Sequence, residues 1–420
     1  MPRRPILITL AALVLIALVA VAGLGSAKER EARPRGIAEA RVTDGGTVGT
    51  DGVDVAALDR RIERLMAEHK PMQGLGVGIV IDGQIVFVKG YGTRDGVAED
   101  GVDIDTVFRW ASVSKGAAGT MAALLETKGK LSLDRPISDY SSTLVLPEGN
   151  HFSATLRDTL SHRLGIWRNA YDDRLEGGMD PDDIRRSLGE LTQVCPVGTC
   201  WSYQNVAFDA SSEAVEMATG QTYEHALETY LFAPLGMTRA SASRAGLERD
   251  DDWARPFTVG GREYEASDSY YRVPAAGGVN SSILDATIWM QAQLGMFPDI
   301  LSPQALEIAH RPLIETPTEM RRMRDYRERL SNARYGLGWR TYDYGGHTIV
   351  GHRGGIDGYR TFILMDPARK SGIVGFWNSD TGRPHGLQFE FLDRLYGLEM
   401  RDWLELGEAP ASESERPLNG

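Results

Sequence analysis

A serine and a lysine stand three residues apart at the start of an apolar stretch. Ser112 and Lys115 form the only SxxK motif in the chain. The residues from about Val113 to Lys128 are rich in Ala, Met and Leu and end at Gly129, which predicts a helix. Because residues three apart share one helix face, Lys115 Nζ can approach Ser112 Oγ and act as the base that a serine nucleophile needs. The alternative is a capping serine beside a surface lysine.

Two further polar motifs follow along the chain. Tyr203 and Asn205 belong to the only YxN motif in the chain. In an extended loop their side chains lie on the same side. There Tyr203 can relay a proton and Asn205 can bind a substrate amide. His352-Arg353-Gly354-Gly355 closes a predicted strand, where a polar side chain can face a cleft and glycine lets a substrate approach the backbone. Taken alone, each motif also fits a structural role: a core tyrosine with a turn asparagine, and a strand-end histidine at a glycine turn.

Elements at both chain ends must position these residues. Asp54 is a plausible N-cap for an amphipathic helix. The apolar residues of that helix recur at helical spacing: Val55, Leu58, Ile62, Leu65 and Met66. Two β-rich runs, Leu75–Ile81 and Gln84–Lys89, flank Asp82-Gly83, a hairpin turn signal. Three more strands are predicted at His347–Gly351, Tyr359–Met365 and Gly372–Trp377, before a final helix at about Leu387–Leu398.

The middle of the chain, roughly 135–330, reads as short helices and loops. Helices are predicted to begin near Ile184, Val206, Tyr223, Ile283, Pro303 and Pro317. The predicted fold class is therefore α+β: an antiparallel sheet built from both chain ends, flanked by the terminal helices, with a mainly helical insertion at about 116–330. A cleft is expected where the sheet edge meets the insertion.

Composition narrows the classes of function. The 46 Lys and Arg against 58 Asp and Glu give a net charge of −12, which argues against general nucleic-acid binding. Apolar residues make up 42% and charged residues 25%, an ordinary globular balance. None of the eight histidines stands in HExxH or HxH, and two cysteines are too few for a Cys-based zinc module, so no metal site is predicted. The chain also lacks the GxSxG of α/β-hydrolases.

The N-terminus predicts export. Arg3-Arg4 precede an uncharged run from Pro5 to Gly25, so residues 1–27 are predicted to be a signal peptide cut after Ala27 or an uncleaved anchor at 5–25. A buried core helix is the third alternative. Either targeting segment places the body outside the cytoplasm, periplasmic or secreted. Residues 28–53 are predicted to be a flexible tether, 54–406 the folded domain and 407–420 a disordered tail.

The two cysteines fit such a compartment. Cys195 and Cys200 flank a Pro/Gly turn that can bring their Cβ atoms within bonding distance, and thiols outside the cytoplasm tend to oxidise. We expect a local disulfide clip; the alternative is two buried free thiols. The spacing is not the CxxC of a redox centre.

The order SxxK, YxN and HxG resembles that of the serine β-lactamase-like family, which includes class C β-lactamases, D-Ala-D-Ala carboxypeptidases and related esterases and amidases. The resemblance covers roughly Val55 to Leu398. Supporting phrases are Phe108–Ala111, Gly129–Asp134, Leu156–Ile166, Pro234–Met237, Ala276–Gly278 and Tyr335–Trp339.

The resemblance implies a role for each motif residue. Ser112 would be the acylated nucleophile, Lys115 its proton partner and Tyr203 the general base and acid. Asn205 would contact a substrate amide. His352 would replace the lysine of the family's KTG motif, and the backbone N–H groups of Ser112 and Gly355 would form the oxyanion hole. No cofactor is implied.

Two departures weigh against true β-lactamase activity. His352-Arg353-Gly354 stands where class C enzymes carry KTG, so Arg353 either clamps a substrate carboxylate or crowds the pocket. Leu164 stands where relatives often have serine. A histidine at 352 would also make the site pH-sensitive, because an unperturbed histidine titrates near pH 6.5.

The expected function is an extracytoplasmic serine hydrolase acting through an acyl-enzyme on an ester, a peptide-like amide or a β-lactam. The substrate would be a small molecule or peptidoglycan-like, without nucleic acid. The alternative is a penicillin-recognising or peptidoglycan-binding protein without turnover.

Overall fold

The computed structural model describes residues 53–97 and 99–407 of the 420-residue chain. The predicted signal peptide or anchor, nearly all of the tether and nearly all of the C-terminal tail lie outside these residues. In the described part, no helix has the length and apolar character needed to cross a bilayer.

The strands form one large sheet and one small one. The strands are β1 Gly74–Ile81, β2 Gln84–Gly92, β3 Val107–Arg109, β4 Asn280–Ser282, β5 Ile314–Glu315, β6 Leu330–Tyr335, β7 Arg340–Tyr344, β8 His347–Ile356, β9 Tyr359–Asp366 and β10 Ser371–Trp377. The large sheet has the order β2-β1-β10-β9-β8-β7-β6-β5, and every pair in it is antiparallel. β3 and β4 pair separately. The predicted α+β fold, with a sheet built from both chain ends, is confirmed.

The helices lie mainly between β2 and β6. The α-helices are α1 Val55–Glu68, α2 Ser114–Thr127, α3 Leu156–Leu160, α4 Asp172–Glu176, α5 Pro181–Ser187, α6 Ala210–Thr219, α7 Tyr223–Leu227, α8 Ala233–Leu235, α9 Arg244–Leu247, α10 Pro274–Gly277, α11 Ile283–Gln293, α12 Pro303–His310, α13 Pro317–Arg322 and α14 Leu387–Leu395. The helix predicted near Val206 begins four residues later.

Local sequence explains the first elements. Asp54 caps α1 as predicted, because its Oδ1 accepts from Ala57 N at 2.7 Å. The apolar stripe of α1 is buried in a core shared with α14 and one face of the sheet. Asp82 and Gly83 both have positive φ, the conformation that a tight hairpin turn between β1 and β2 requires.

The opposite face of the sheet packs against α11. An added Cβ at Gly78 of β1 would lie 1.9 Å from Thr287 Oγ1, so only glycine lets this helix approach the strand so closely. The insertion is thereby fixed to the face of the sheet that α1 and α14 leave free.

The C-terminal half has more strands than the sequence predicts. β6 and β7 were not predicted, because β6 carries a register irregularity between Ser331 and Arg334, and β7 mixes charged with aromatic residues. Neither strand therefore shows the simple alternation of apolar and polar positions that predicts a strand from sequence. β8 also continues past Gly351 to Ile356, so His352 to Gly355 lie inside the strand rather than at its end.

Candidate active site

Ser112 lies in a single 3₁₀ turn, Ala111–Val113, directly before α2. The serine is half-buried. Ala111 has a φ of 47°, in the left-handed region that non-glycine residues seldom adopt, and such backbone strain clusters at active sites. Trp110, the residue before the turn, is held on both sides of its own peptide unit. Its backbone N donates to Val279 O at 2.8 Å, and its carbonyl accepts from Thr361 Oγ1 at 2.9 Å.

Lys115 is completely buried one turn away. Its Nζ donates to Asn205 Oδ1 at 2.7 Å and to Ala276 O at 2.8 Å, and lies 4.7 Å from the centre of the Tyr203 ring. The predicted approach to Ser112 Oγ is not among the hydrogen bonds of the described residues. The structure thus gathers Lys115, Tyr203 and Asn205, as the sequence predicts, with the ammonium directed at the amide.

Asn205 is held from both sides. Its Nδ2 donates to Asp172 Oδ2 at 2.7 Å while its Oδ1 accepts from Lys115. Burial raises the pKa of Asp172 above its ordinary value. Asp172 was not predicted as part of the site, because no motif marks it; it joins the site through α4, whose position depends on tertiary packing.

Tyr203 belongs to a cluster of aromatic rings. Its ring centre lies 4.4 Å from that of His162 and 6.1 Å from that of Trp201, and Tyr335 lies 4.9 Å from His162. Tyr203 is buried, so its orientation is set by ring packing on several sides.

His352 and His162 are joined through one hydroxyl. Tyr335 Oη lies 3.1 Å from His352 Nε2 and 3.2 Å from His162 Nε2. At the far ends, His352 Nδ1 lies 2.8 Å from Arg353 O, and Gln204 N donates to His162 Nδ1 at 3.2 Å. All three side chains are buried. His162 and Tyr335 belong to the stretches Leu156–Ile166 and Tyr335–Trp339, and neither was predicted to have a role in the site.

The environment of His352 corrects the expectation of a histidine that titrates near pH 6.5. Burial, followed by the charges of Arg340 and Lys115, lowers its pKa well below that value. His352 is therefore neutral at physiological pH and does not supply the positive charge of a KTG lysine.

Arg353 also differs from expectation. Adjacent strand residues point to opposite faces, and Arg353 NH2 donates to Glu319 Oε1 at 2.6 Å rather than facing the cleft beside His352. Although burial by itself raises the pKa of Glu319, Arg340 and Arg353 hold it at about 2. Arg353 is thus occupied by a buried carboxylate, which argues against its predicted role as a substrate clamp.

Gly354 brings β8 against the serine turn. An added Cβ there would lie 2.5 Å from Trp110 O and 3.0 Å from Ala111 Cβ, so no larger residue fits. Gly355, the next residue, is exposed and lines a cleft of about 440 Å³. The other cleft residues are Glu176, Ser267, Ser269, Tyr270, Ile356, Asp357 and Arg360.

The predicted disulfide is confirmed. Cys195 and Cys200 are bonded, with their Cα atoms 6.3 Å apart. The loop between them is attached to the chain beside His162, because Gly198 N donates to Arg163 O at 2.8 Å. Just after the loop, Ser202 N donates to His162 O at 2.9 Å. The clip therefore braces the segment that leads directly into Tyr203.

Replacing both cysteines by serine is expected to lower activity more than stability. The bond closes a loop with a sequence separation of only 5, and short loops contribute least to the free energy of unfolding. We expect the acylation rate to fall roughly tenfold or more, because small displacements of reacting groups are costly. Kinetics and thermal unfolding of the double variant measure the two effects.

The matched controls are wild-type protein with and without reductant, followed by alkylation and intact-mass analysis. Freely alkylated thiols in unreduced, exported protein, or a double variant with unchanged rates, would contradict this prediction.

Metal chemistry has no candidate site in the part of the chain that the structure describes. No group of three or more His, Cys, Asp or Glu residues there could hold an ion. The polar groups around Lys115 are suited to proton transfer and hydrogen bonding.

Comparison with known proteins places this arrangement in a family. The family model described as Beta-lactamase matches residues 58–395. The chain belongs to the beta-lactamase family. The match spans β1 to β10, so it includes Ser112, Tyr203 and His352.

Several relatives of this beta-lactamase-family chain have names that describe an activity. It is 27% identical to "Unguisins hydrolase ungD'" of Aspergillus campestris over 72% of this chain and 57% of that protein, so it spans little more than half of that relative. It is 25% identical to "Penicillin-binding protein 4" of Amycolatopsis lactamdurans over 87% of this chain and 97% of that protein. It is 27% identical to "Esterase EstB" of Burkholderia gladioli over 56% and 62%.

A solved structure has a similar fold. The octameric penicillin-binding protein homologue from Pyrococcus abyssi superposes with a TM-score of 0.73 at 26% identity, covering 82% of this chain and 78% of that one. Relatives named as a hydrolase, an esterase and a penicillin-binding protein support, in general terms, a serine hydrolase of the acyl-transfer type.

Proposed function

We propose that this chain is an extracytoplasmic serine hydrolase that forms a covalent acyl-enzyme at Ser112. Its substrates are esters, peptide-like amides or β-lactams. The observation that carries the proposal is the convergence of Tyr203 and Asn205 on Lys115, in the first turn of the helix that follows Ser112. A buried lysine ammonium that contacts a side-chain amide and a tyrosine ring, one helical turn from a serine, is suited to acyl transfer.

The reaction divides into acylation and deacylation. Ser112 Oγ attacks the substrate carbonyl while its proton passes to the deprotonated oxygen of Tyr203, whose negative charge the Lys115 ammonium stabilises. Backbone N–H groups of Ser112 and Gly355 bind the oxyanion, and the N-terminus of α2 adds positive potential. Tyr203 then protonates the leaving group. Water, deprotonated by the same group, attacks the acyl-enzyme and releases the acid and Ser112.

The compartment is proposed on two grounds. A disulfide persists mainly in oxidising compartments, and the N-terminal run from Pro5 to Gly25 follows two arginines, as in exported proteins. Several relatives are named as penicillin-binding proteins, which supports a small-molecule substrate such as a β-lactam.

The second candidate function is recognition without turnover. It rests on the same relatives named for penicillin binding. It predicts an acyl-enzyme, or an occupied site, that is not hydrolysed.

Intact-mass spectrometry tests both. The purified protein is incubated with an activated ester, a D-Ala-D-Ala peptide analogue and a penicillin, and the mass is followed for hours. A transient adduct with released product supports the hydrolase. A stable adduct without product supports the second candidate. The absence of any adduct or product with all three probes would sink the proposal.

A further inference from the structure

A single chain of hydrogen bonds joins three separate segments behind the candidate general base. His162 follows α3, Tyr335 ends β6 and His352 lies in β8. The chain runs from Gln204 N through His162, the Tyr335 hydroxyl and His352 to the carbonyl of Arg353. It thus begins at the residue after Tyr203 and ends in the strand that carries Gly354 and Gly355.

Its two ends allow only one arrangement of protons. A backbone N–H only donates, so His162 Nδ1 must carry a lone pair and its Nε2 a proton. A carbonyl only accepts, so His352 Nδ1 carries a proton. The Tyr335 hydroxyl lies between the protonated His162 Nε2 and His352 Nε2, so its own proton needs the lone pair of His352 Nε2 as acceptor. The Tyr335 hydroxyl therefore accepts from His162 and donates to His352. Both imidazoles are neutral in this arrangement.

This chain of hydrogen bonds cannot accommodate an additional proton. On His162 Nδ1 it would face Gln204 N–H, and on His352 Nε2 it would face the Tyr335 hydroxyl proton. Turning that hydroxyl around would only point it at the proton on His162 Nε2. A buried donor facing a donor is costly, so protonation of either ring breaks the chain.

The charged groups around the two rings oppose protonation as well. Lys115 faces them from α2, Arg340 from β7 and Arg168 from the loop after α3, with Arg353 beyond His352. The tyrosines that face them are Tyr203 and Tyr335. The buried carboxylate of Glu319 is already paired with Arg340 and Arg353. Burial and these cations lower the pKa of both histidines.

His162 holds the segment around Tyr203 on both sides. Its carbonyl accepts from Ser202 N and its Nδ1 accepts from Gln204 N, while its ring packs on the Tyr203 ring. A shift of His162 would therefore displace Tyr203 relative to Lys115.

We propose that His162, Tyr335 and His352 form a positioning relay for Tyr203 that works only while both imidazoles are neutral. The relay rests on the proposed function, since it assigns these residues a part in acylation at Ser112. His162 and Tyr335 act through Tyr203 and do not touch the substrate.

Tyr335→Phe tests the relay because it removes one hydroxyl and keeps the ring. Without that hydroxyl, His162 Nε2 loses its acceptor, and no donor faces His352 Nε2, so the His352 ring can take a proton there. We expect the acylation rate to fall about tenfold at pH 8. We also expect the acid limb of its pH profile to move up by at least about one pH unit toward the unperturbed histidine value near 6.5.

The control is Tyr344→Phe, which removes another buried hydroxyl, one that donates to Asp393. It is expected to keep the wild-type pH profile. A Tyr335→Phe profile that matches the wild type would overturn the relay. If the wild-type protein itself is not acylated, the proposed function is wrong, whatever the variant shows.

Nitrogen-15 NMR of the wild-type imidazoles gives a second readout that does not depend on a variant folding. We expect His162 to be protonated on Nε2 and His352 on Nδ1, with neither ring titrating near the ordinary histidine value of about 6.5. Opposite tautomers, or a ring that titrates near pH 6.5, would overturn the relay even if Ser112 is acylated normally.

Discussion

Ser112→Ala is expected to abolish acylation and turnover. The substitution removes the oxygen that forms the covalent bond, and no other residue in the turn can replace it. Because the serine is half-buried and its neighbours Ala111 and Val113 supply the packing, we expect the free energy of unfolding to change by less than about 1 kcal/mol. Product release and intact mass measure the first effect, and thermal unfolding the second.

The control is Ser142→Ala, which removes a hydroxyl from an exposed position. It should leave both adduct formation and rate at wild-type values. If Ser112→Ala retained wild-type rates on a substrate that the wild type hydrolyses, or still formed an adduct, the mechanism would be wrong.

Tyr203→Phe is expected to lower the acylation rate by at least about a hundredfold. A proton-transfer partner is typically worth about 10² to 10⁴ in rate. The ring contacts with His162 and Trp201 involve carbon atoms that phenylalanine keeps, so the fold and the affinity for substrate should change little. The signature is a fall in kcat with KM nearly unchanged, measured on one activated ester.

Tyr230→Phe provides the comparison, because its ring lies over Lys130 and not in the aromatic cluster. Its kinetics should match the wild type. A Tyr203→Phe variant within a few-fold of wild-type kcat would assign proton transfer to Lys115 alone.

Much of the fold could be predicted because its signals are local. The N-cap at Asp54, the turn at Asp82-Gly83 and the apolar runs of β1, β9 and β10 depend on neighbouring residues only. β6 and β7 depend instead on strand partners and on an irregular register, which sequence periodicity does not reveal. The predicted boundary of β8 failed for a related reason, since its glycines continue the strand where they look like a turn.

The candidate site could likewise be predicted only in part. Motifs and a family resemblance pointed to Ser112, Lys115, Tyr203 and Asn205, and the structure brings the last three into contact. The charge state of His352 and the pairing of Arg353 with Glu319 could not be foreseen, because both depend on burial and on residues distant in the chain. Asp172 was missed for the same reason: its contact with Asn205 arises only in the folded chain.

The position of β1 sets a limit on how the chain can fold. β1 pairs with β10 from Leu75 to Val80, and Gly74 N donates to Asn378 Oδ1, a residue 304 positions later. Such non-local pairing loses chain entropy on loop closure before its contacts can form and stabilise the sheet. A high contact order of this kind makes folding slow. During synthesis the β1–β2 hairpin exposes an unpaired, Val- and Ile-containing edge until β10 emerges. Chains truncated before Ser371 should therefore aggregate rather than retain partial activity.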